Sequence, residues 1–447
     1  MAEKRQQASA KKARVKPVKP SEGGLSTSAN TRRFQAKRQV ILQAAALRFN
    51  AQGLKGATLA DIAGDVGLVT TSVTYYYRRK EDLAVACYEQ SIATHRALAE
   101  QAARAASGVA QRVSDFLLAE AELPAAQEQG MAAALIEFSD IRALPEAQAA
   151  EVFAAYNQLF KSVRALLQGL ETSEWHRDDL NARAHLLLSV AHSLRAWLAR
   201  YELDDHRRVA RQVVNLLLNG IASEAQSWPA PQQLPGLTGG AEDSDMALEA
   251  MNEAFLRAAT ELVNEQGYRG ASVDRISARL QLTKGAFYHH NDTKLDLVSA
   301  CFERSHALVR RTLQAAEQAH GLGWHRACAA AAALVHAQLS SRGPLLRATA
   351  LLALPMGPSR DRVRLQSQRL NERIVGMLVD GLVDGSVRPL DPSLAAQMLA
   401  SATNAAAELR RWVPGVEAER AVAVYARPAL CGLLCAPGVG AGKGPAP

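Results

Sequence analysis

Residues 41–68 read ILQAAALRFNAQGLKGATLADIAGDVGL, and residues 255–282 read FLRAATELVNEQGYRGASVDRISARLQL. Laid over each other without a gap, with residue 41 on residue 255, the two stretches coincide at many positions. The identical pairs include Ala44/Ala258, Ala45/Ala259, Gln52/Gln266, Gly53/Gly267, Gly56/Gly270, Ala57/Ala271, Ile62/Ile276 and Leu68/Leu282. Self-similarity at a fixed distance indicates that one structural unit is written twice.

The repeat continues beyond these stretches. At the same offset ACYEQS (86–91) lies over ACFERS (300–305), and at an offset larger by one LRAW (194–197) lies over LRRW (409–412). ALP occurs at 143–145 and at 353–355, slightly closer together, so small length changes separate the copies. The whole unit is therefore predicted to be duplicated. A stretch rich in Pro, Gly and acidic residues, within 227–246, is the expected linker, and residues 436–447 are an expected disordered tail.

Each copy is predicted to be helical throughout. In the first helix a core stripe is expected, which Gly53 ends, at Ile41, Leu42, Ala45, Leu47 and Phe49. Thr58 and Ser272 are candidate N-caps of a short second helix. A tight turn at Gly67 and Leu68 then leads to a third short helix. Two short helices joined by a tight turn and braced by a longer one form a helix-turn-helix.

Composition agrees with an all-helical protein of several domains. The chain has 447 residues, of which 48% are hydrophobic and only 5% aromatic. No apolar run is long enough for a transmembrane span, and the N-terminus lacks the apolar segment of a secretory signal. A cytoplasmic protein is expected, with its five scattered cysteines reduced and structural.

The net charge of +8 is concentrated at the N-terminus. Residues 1–38 hold eleven basic and two acidic side chains, which leaves 41 basic and 42 acidic side chains in the remainder. A polar segment of this kind builds no core, so residues 1–32 are predicted to be a basic disordered tail. Two interpretations stay open, a solvated tail and an arm that follows an anionic polymer.

Both copies resemble subunits of the tetracycline-repressor (TetR) family of transcription regulators. The family pattern runs from T/S-x-x-x-I-A to K-G-x-x-Y-x-Y/H-F-x-x-K-x-x-L. The second copy matches it at Lys284, Gly285, Tyr288, His290, Lys294 and Leu297, and the first at Tyr76, Tyr77, Lys80 and Leu83. The first copy departs from it at Thr70 and Thr74, and the second at Asn291.

The resemblance implies roles for residues of both copies. Tyr77 corresponds to a packing aromatic, Tyr76 to a phosphate contact, and Tyr75 and His289 to a position that reaches into the groove. In the first copy the predicted DNA-binding residues are Thr58, Thr70, Thr71, Ser72, Thr74, Tyr75, Tyr76 and Lys80. In the second they are Ser272, Thr283, Lys284, Gly285, Ala286, Tyr288, His289, His290 and Lys294. Because the two sets differ, the copies are expected to read different base sequences. A cluster that only packs is the alternative for the tyrosines.

The resemblance also implies an architecture. DNA-binding helix-turn-helix domains are expected at 33–83 and 247–297, with helical effector and dimerisation domains at 84–226 and 298–435. Family members are normally homodimers, so this all-α chain is expected to fold as an intramolecular pseudo-dimer. Contact between the two units is expected in a four-helix bundle of the last two helices of each. The expected partners are an operator in double-stranded DNA and a small-molecule effector, with no membrane, metal or cofactor.

Three hypotheses follow for function. The first is a repressor that a small-molecule effector releases from DNA. The second is an effector-independent or architectural DNA-binding protein that is controlled by a protein partner. The third is an enzyme, which the sequence disfavours because it contains no catalytic motif such as G-x-S-x-G or H-E-x-x-H. His185 and His192 share a helix face and either pack in the core or line an effector cavity.

Overall fold

The computed structural model describes residues 23–105, 108–230, 234, 246–271, 273–279 and 293–437. Helices make up most of the backbone in these ranges, and their β structure is confined to an isolated bridge between Ala222 and Val387. The expected all-α class is confirmed. A composition rich in strong helix formers and poor in aromatic residues accounts for it.

In the first half of the chain (residues 33–226, with α1 extending before it) the elements follow one another in a simple order. The α-helices are α1 Gly23–Gly56, α2 Leu59–Asp65, α3 Thr70–Tyr76, α4 Lys80–Ala105, α5 Val109–Glu128, α6 Glu146–Leu166, α7 Arg177–Leu198 and α8 His206–Asn219. Short 3₁₀ helices lie at Phe138–Ala143, Leu170–Thr172 and Leu203–Asp205.

The second half (residues 247–435) repeats this order in the part that is described. Its α-helices are α9 Met246–Gly270, α10 Val273–Arg279, α11 Lys294–Glu317, α12 Gly323–Leu339, α13 Thr349–Ala353, α14 Pro358–Val383, α15 Pro392–Ala405, α16 Leu409–Trp412, α17 Ala418–Ala421 and α18 Arg427–Cys431. A 3₁₀ helix (Ala406–Glu408) precedes α16, and a π-helical segment (Val422–Ala426) joins α17 to α18.

Corresponding helices start at nearly constant distances along the chain. α2 and α10 start at residues 59 and 273, α4 and α11 at 80 and 294, and α5 and α12 at 109 and 323. All three pairs have the same offset as residues 41 and 255. The offset is larger by one between α7 and α15, at 177 and 392, and smaller by two between α8 and α17, at 206 and 418. The helix boundaries therefore follow the sequence identities.

Two expectations for the first helix are wrong. Leu47 is 57% exposed instead of lying in the core stripe. At 100° per residue it points about 200° away from Ala45, which is fully buried. In addition, α1 begins at Gly23, so residues 23–32 of the expected disordered tail are helical. Gly53 does interrupt the helix as predicted, with a left-handed φ of 65°, and Gly267 does the same at 71°.

Matching hydrogen bonds hold the first helix of each half in place. The Asn50 side chain donates to the carbonyl of Leu135 and accepts from the amide two residues further on, both at 2.9 Å. Asn264 makes the same two bonds at Leu345, at 2.9 and 3.0 Å. These asparagines occupy the same position of the repeat, and each ties the segment after α5 or α12 to the helix that braces the helix-turn-helix.

The largest apolar core runs through both halves. It contains buried side chains of α1 to α8 together with others of α12 and α15 to α18. A separate cluster lies around Phe255, Val263, Leu297 and Phe302, beneath α9 and α11. The C-terminal helical parts of the two halves thus share one core, whereas α9 has a core of its own.

α7 is central to the contact between the halves, and it packs against α15, α16 and the π-helical segment. The Asn181 amide donates to the carbonyl of Trp412 at 2.8 Å, and His185 Nε2–H donates to that of Ala405 at 2.9 Å. Phe160 stacks on Trp412 with ring centroids 3.7 Å apart. Polar and aromatic contacts therefore fix the register of one half on the other.

A buried arginine also crosses this boundary. Arg183 on α7 has no exposed surface and donates to the carbonyls of Leu433 and Cys435, both at 2.9 Å. Its guanidinium lies 4.3 Å from the ring centroid of Trp175. Burial lowers its pKa, with Asp179 at 3.4 Å acting in the opposite direction. Removing one partner of such a set leaves a buried charge unsatisfied.

The final helices of the two halves meet end to end at glycines. Gly220 and Gly432 have positive φ angles of 67° and 102°. A Cβ on Gly220 would collide with the carbonyl of Leu430, and one on Gly432 with that of Leu218. Backbone hydrogen bonds of 2.8 and 2.7 Å cross beside them in opposite directions. At both glycines the backbones of the two halves approach so closely that only a residue without a side chain fits.

The sequence also predicts reduced, structural cysteines and no transmembrane span. All five cysteines are free thiols, of which Cys87, Cys301 and Cys328 are buried. Burial raises the pKa of Cys301 to about 11, so this thiol is protonated at neutral pH. None of the described helices is both long and apolar enough to cross a membrane.

Candidate nucleic-acid interface

Residues 57–77 form the predicted helix-turn-helix. Thr58 caps α2 as expected, because its Oγ1 accepts from the Asp61 amide at 3.1 Å while the Asp61 carboxylate accepts from the Thr58 amide at 3.2 Å. Gly67, with φ of 64°, turns the chain between α2 and α3. Ile62 and Val73 are fully buried and pack the two helices together. α3 is thereby held as a rigid, projecting helix.

The outer face of α3 carries the residues that were predicted to read bases. Thr70, Thr71 and Tyr75 are exposed, Tyr75 to 76%, and Ser72 and Thr74 are half-buried. The Thr74 hydroxyl donates to the carbonyl of Thr71 at 3.0 Å, so its proton is already used within the helix. This face presents hydroxyls, methyls and a phenol, which are groups that contact base edges in a major groove.

The three consecutive tyrosines have three different environments. Tyr77 is buried and its hydroxyl accepts from Arg38 Nε at 2.8 Å. Tyr76 packs on the ring of Phe34, with centroids 4.7 Å apart, and Tyr75 stands edge-on to Tyr76 at 5.4 Å. The run therefore combines one packing ring with two rings near the surface, and it ties α3 to the N-terminal part of α1.

The cations that follow the tyrosines are not equivalent. Lys80 starts α4, is half-buried and donates from Nζ to the carbonyl of Ala57 at 2.9 Å, so one of its three ammonium protons is engaged. Arg79 pairs with Asp82 at 2.9 Å. Arg78 is exposed and makes no ion pair with any described residue. Arg78 is not among the DNA-binding residues that the sequence predicts, so its exposure adds a candidate contact.

An ion pair joins α1 to α2, and ion pairs of opposite polarity join α9 to α10. In the first half Arg48 on α1 donates from Nε to Asp65 on α2 at 2.8 Å, and this hydrogen bond lowers the pKa of Asp65. In the second half the arginine is on the second helix, where Arg279 pairs with Glu265 at 2.6 Å and with Glu261 at 3.2 Å. The same brace is built from different residues.

Most of the predicted contacts of the second half lie outside the described residues. These are Ser272, Thr283, Lys284, Gly285, Ala286, Tyr288, His289 and His290. Lys294 is described, at the start of α11, and its Nζ lies 4.7 Å from the ring centroid of Tyr268. Thr293 caps α11 in a capping box with Asp296. α9 and α10 are in contact, so the bracing part of the second segment is in place.

A cluster of polar and aromatic side chains fills the first C-terminal helical domain. His95 Nδ1 lies 2.8 Å from both carboxylate oxygens of Glu120. His192 packs against the rings of His95, Phe138 and Tyr156, with centroids 5.0 to 6.1 Å apart. Its Nε2 is buried without a hydrogen-bond partner among the described residues. Burial lowers the pKa of His192 to about 3, so the ring is neutral. Of the two histidines considered for a cavity, His185 instead lies at the boundary between the halves.

Two concave regions stand out in the described part of the chain. One is a cleft of about 20 Å³ where Arg142 of the first half faces Asn264, Tyr268 and Arg347 of the second. The other is an open groove of about 470 Å³ between α11 and α14. Among the described residues no group of three His, Cys, Asp or Glu side chains is arranged to hold a metal ion.

Comparison with known proteins gives a family match for a segment that includes most of α9 and all of α10. Residues 255–301 match the family described as "Bacterial regulatory proteins, tetR family". The chain is 39% identical over 57 residues to the Transposon Tn10 TetC protein of Escherichia coli, a match that covers 13% of this chain and 29% of that protein.

Solved structures also resemble parts of the chain. The TetR family transcriptional regulator PfmR from Thermus thermophilus is 21% identical, with a TM-score of 0.33 over 40% of this chain and 98% of its own. The transcriptional regulator FadR from Bacillus subtilis, solved with stearoyl-CoA, is 17% identical, with a TM-score of 0.31 over 40% and 97%. The family match is thus confined to residues 255–301, and the proteins of that family are transcription regulators and not enzymes.

Proposed function

We propose that this protein is a sequence-specific DNA-binding transcription regulator of the TetR type that acts as a repressor. The observation that carries the proposal is the helix-turn-helix at residues 57–77, whose α3 exposes Thr70, Thr71 and Tyr75 beside exposed Arg78. The match of residues 255–301 to the family supports a second DNA-binding segment in the same chain. Two DNA-binding segments in one chain suit a pair of half-sites.

Within this proposal a single chain supplies both of the DNA-binding units that a homodimer would supply. The duplicated helix starts, the paired bonds of Asn50 and Asn264, and the reciprocal approach of Gly220 and Gly432 all support two related units facing each other. The shared core that α7 and α15 to α18 form supports a permanent pairing. Such a core resembles an obligate dimer interface, which is more apolar than a transient one.

In the first half-site, the proposed base and phosphate contacts are assigned from the exposure of the side chains. Tyr75, Thr70 and Thr71 contact bases in one half-site, and Arg78 and Lys80 contact phosphates beside them. In the other half-site Lys284 donates to guanine and Lys294 contacts phosphate. Because the two recognition segments differ in sequence, the operator is only approximately palindromic.

We further propose that a small molecule controls DNA binding through the first C-terminal helical domain. The buried Nε2 of neutral His192 offers a hydrogen bond that no described protein group uses. Phe138 belongs to the same cluster and begins a 3₁₀ helix that contacts both α1 and α9. A ligand at His192 would therefore act on a segment adjoining both DNA-binding domains.

The alternative is an effector-independent regulator under a protein partner. It is favoured by the close packing of the His192 cluster and by the small volume, about 20 Å³, of the cleft at Arg142. Mass spectrometry of the purified protein under native conditions separates the two. A retained or added small molecule that shifts operator affinity supports the effector, whereas a release that requires a second protein supports the alternative.

Selection from random double-stranded DNA tests the main proposal. We expect recovery of one site with two unlike arms, separated by about one helical turn or a multiple of it. Replacement of Tyr75 by alanine should change the preferred bases in one arm. Recovery of no preferred sequence, with binding that depends only on salt, would refute a sequence-specific regulator.

A further inference from the structure

The open groove between α11 and α14 is a second concave surface that DNA binding does not use. It has a volume of about 470 Å³ and is lined by Arg310, Gln366, Arg369, Leu370 and Arg373. Arg310 lies sixteen residues after Lys294, which places it about 24 Å along α11 from the proposed phosphate contact. That distance exceeds the ≈ 8 Å over which charges act at physiological salt, so the groove is electrostatically separate from the DNA-binding face.

Two of the three arginines in the groove have no acidic partner among the described residues. Arg373 is paired with Glu317 through two hydrogen bonds, at 3.1 and 3.3 Å. Arg310 and Arg369 are exposed and form no ion pair or hydrogen bond with any described residue. Two free guanidinium groups beside one paired group in a concave surface produce a positive potential that attracts anions.

The floor of the groove contains a buried apolar side chain and a hydrogen-bonded amide. Leu370 is 7% exposed and belongs to a buried apolar cluster. Gln366 Oε1 and the Ser367 hydroxyl each lie 3.0 Å from a ring nitrogen of His306, which fixes the Gln366 side chain. The amide nitrogen of Gln366 makes no hydrogen bond with a described residue. A fixed neutral donor is thus available between the arginines.

The corresponding place in the first half is neutralised. Arg96 corresponds to Arg310, but it pairs with Glu100 at 3.2 Å, one turn further along α4. In the second half that acidic partner is replaced by Gln314. The groove is therefore basic in only one of the two halves.

A second replacement acts in the same direction. α6 starts at residue 146 and α14 at residue 358, and with these starts aligned Arg369 corresponds to Asn157. The Asn157 side chain accepts from Arg411 of the second half at 3.2 Å and is occupied in the contact between the halves. Arg369 has no such contact with a described residue and faces the open groove.

We propose that this groove is a binding site for a small molecule that carries phosphoryl groups, such as a diphosphate or a phosphate ester. Arg310 and Arg369 present planar guanidinium groups, which match the oxygens of a phosphoryl group in bidentate fashion. The Gln366 amide supplies a neutral donor, and Leu370 supplies an apolar floor for the non-ionic part of the ligand. The site is independent of the effector proposed at His192.

Calorimetric titration of the full chain with pyrophosphate, without DNA and at constant ionic strength, tests this proposal. We expect saturable binding of one pyrophosphate per chain. The double variant R310A/R369A should weaken it at least tenfold. Gln314→Glu, which supplies Arg310 with the acidic partner found in the first half, should weaken it several-fold with little disturbance of the exposed surface. Arg96→Ala is the matched control in the first half and should leave binding unchanged.

Four results would overturn the proposal, and the last of them comes from a competing anion. One is the absence of saturable binding by a chain whose thermal unfolding is normal. Another is an equal loss of binding in Arg96→Ala and in Gln314→Glu, which would indicate a nonspecific effect of charge. The third is an operator affinity that depends less on salt in R310A/R369A, which would make the groove a DNA surface. Citrate titrated in parallel should bind several-fold more weakly, and equal binding would contradict the preference for phosphoryl groups.

Discussion

Thr58 connects local folding to the DNA-binding geometry. Its hydroxyl and the Asp61 carboxylate close the capping box that starts α2, and α2 supports α3 through Ile62 and Val73. Thr58→Ala should lower the free energy of unfolding by about 1 kcal/mol, since an orphan amide at the helix N-terminus loses its acceptor. Urea unfolding measures this effect. Thr58→Ser keeps the hydroxyl and should retain most of the stability, and equal losses in both variants would argue against the cap.

Lys284 is the residue expected to distinguish the two half-sites. A lysine donates to the O6 and N7 of guanine, whereas the first half has Thr70 at the same place in the repeat. Lys284→Ala should cost roughly 1–3 kcal/mol of operator binding and relax base preference in one arm only. Binding to a panel of operators with single base changes measures this.

Lys80→Ala serves as the contrasting variant. It removes a proposed phosphate contact and should weaken binding to all operators alike. An effect of Lys284→Ala on both arms would contradict the assignment of one recognition segment to each half-site.

At the scale of the elements, the positions of the helices followed from sequence more closely than their faces did. Repeat offsets, capping residues and glycines fix where a helix starts and ends, because each acts on the local backbone. Leu47 shows the limit, since an apolar residue in a helical pattern is buried only if another element covers its face. The contacts of Asn50 and Asn264 with segments far along the chain were also beyond local reasoning, because they depend on tertiary packing.

The DNA-binding segment shows the same contrast between features that local sequence predicts and features that depend on tertiary packing. The resemblance to the TetR family implied that Tyr77 packs and that Tyr75 points outward, and Tyr77 is buried whereas Tyr75 is exposed. Sequence did not reveal that Lys80 donates to Ala57, nor that Arg78 is left exposed without an ion pair among the described residues. Such details depend on which carbonyls and carboxylates come within reach after folding.

A further prediction concerns the contribution of the basic N-terminal segment to DNA binding. If Lys4 to Lys19 follow DNA phosphates, their deletion should weaken binding to all sequences similarly. The slope of the logarithm of the binding constant against the logarithm of salt concentration should fall in magnitude by about 0.9 for each lost phosphate contact. Titrations at several salt concentrations measure it, and an unchanged slope would assign the segment to solvent.

At the scale of the whole molecule, an ionic cluster joins the halves. Glu408 accepts from Arg142 of the first half at 3.0 Å and also pairs with Arg347. Burial opposes ionisation of Glu408, but the charges of Arg347 and Arg142 outweigh it and lower its pKa from 4.5 to about 2. A carboxyl with a depressed pKa stabilises the fold above pH 4.5, and this stabilisation is lost as pH falls towards 2.

The expected effect is a difference in acid stability between variants. The shift corresponds to on the order of 3 kcal/mol between neutral pH and pH 2. Glu408→Gln should therefore be less stable than the parent at pH 7, and its stability should decline less between pH 4.5 and 2. Urea unfolding at several pH values measures both. Glu417→Gln, at an exposed carboxyl, is the control, and identical pH dependence in both variants would count against the cluster.

We propose that one chain holds both DNA-binding units on a shared core. The mass of the protein–operator complex can be measured by light scattering during size-exclusion chromatography at micromolar concentration. We expect one chain of 48.0 kDa on each operator that contains both half-sites. Two chains on each such operator, with the mass of a protein dimer in the absence of DNA, would contradict it.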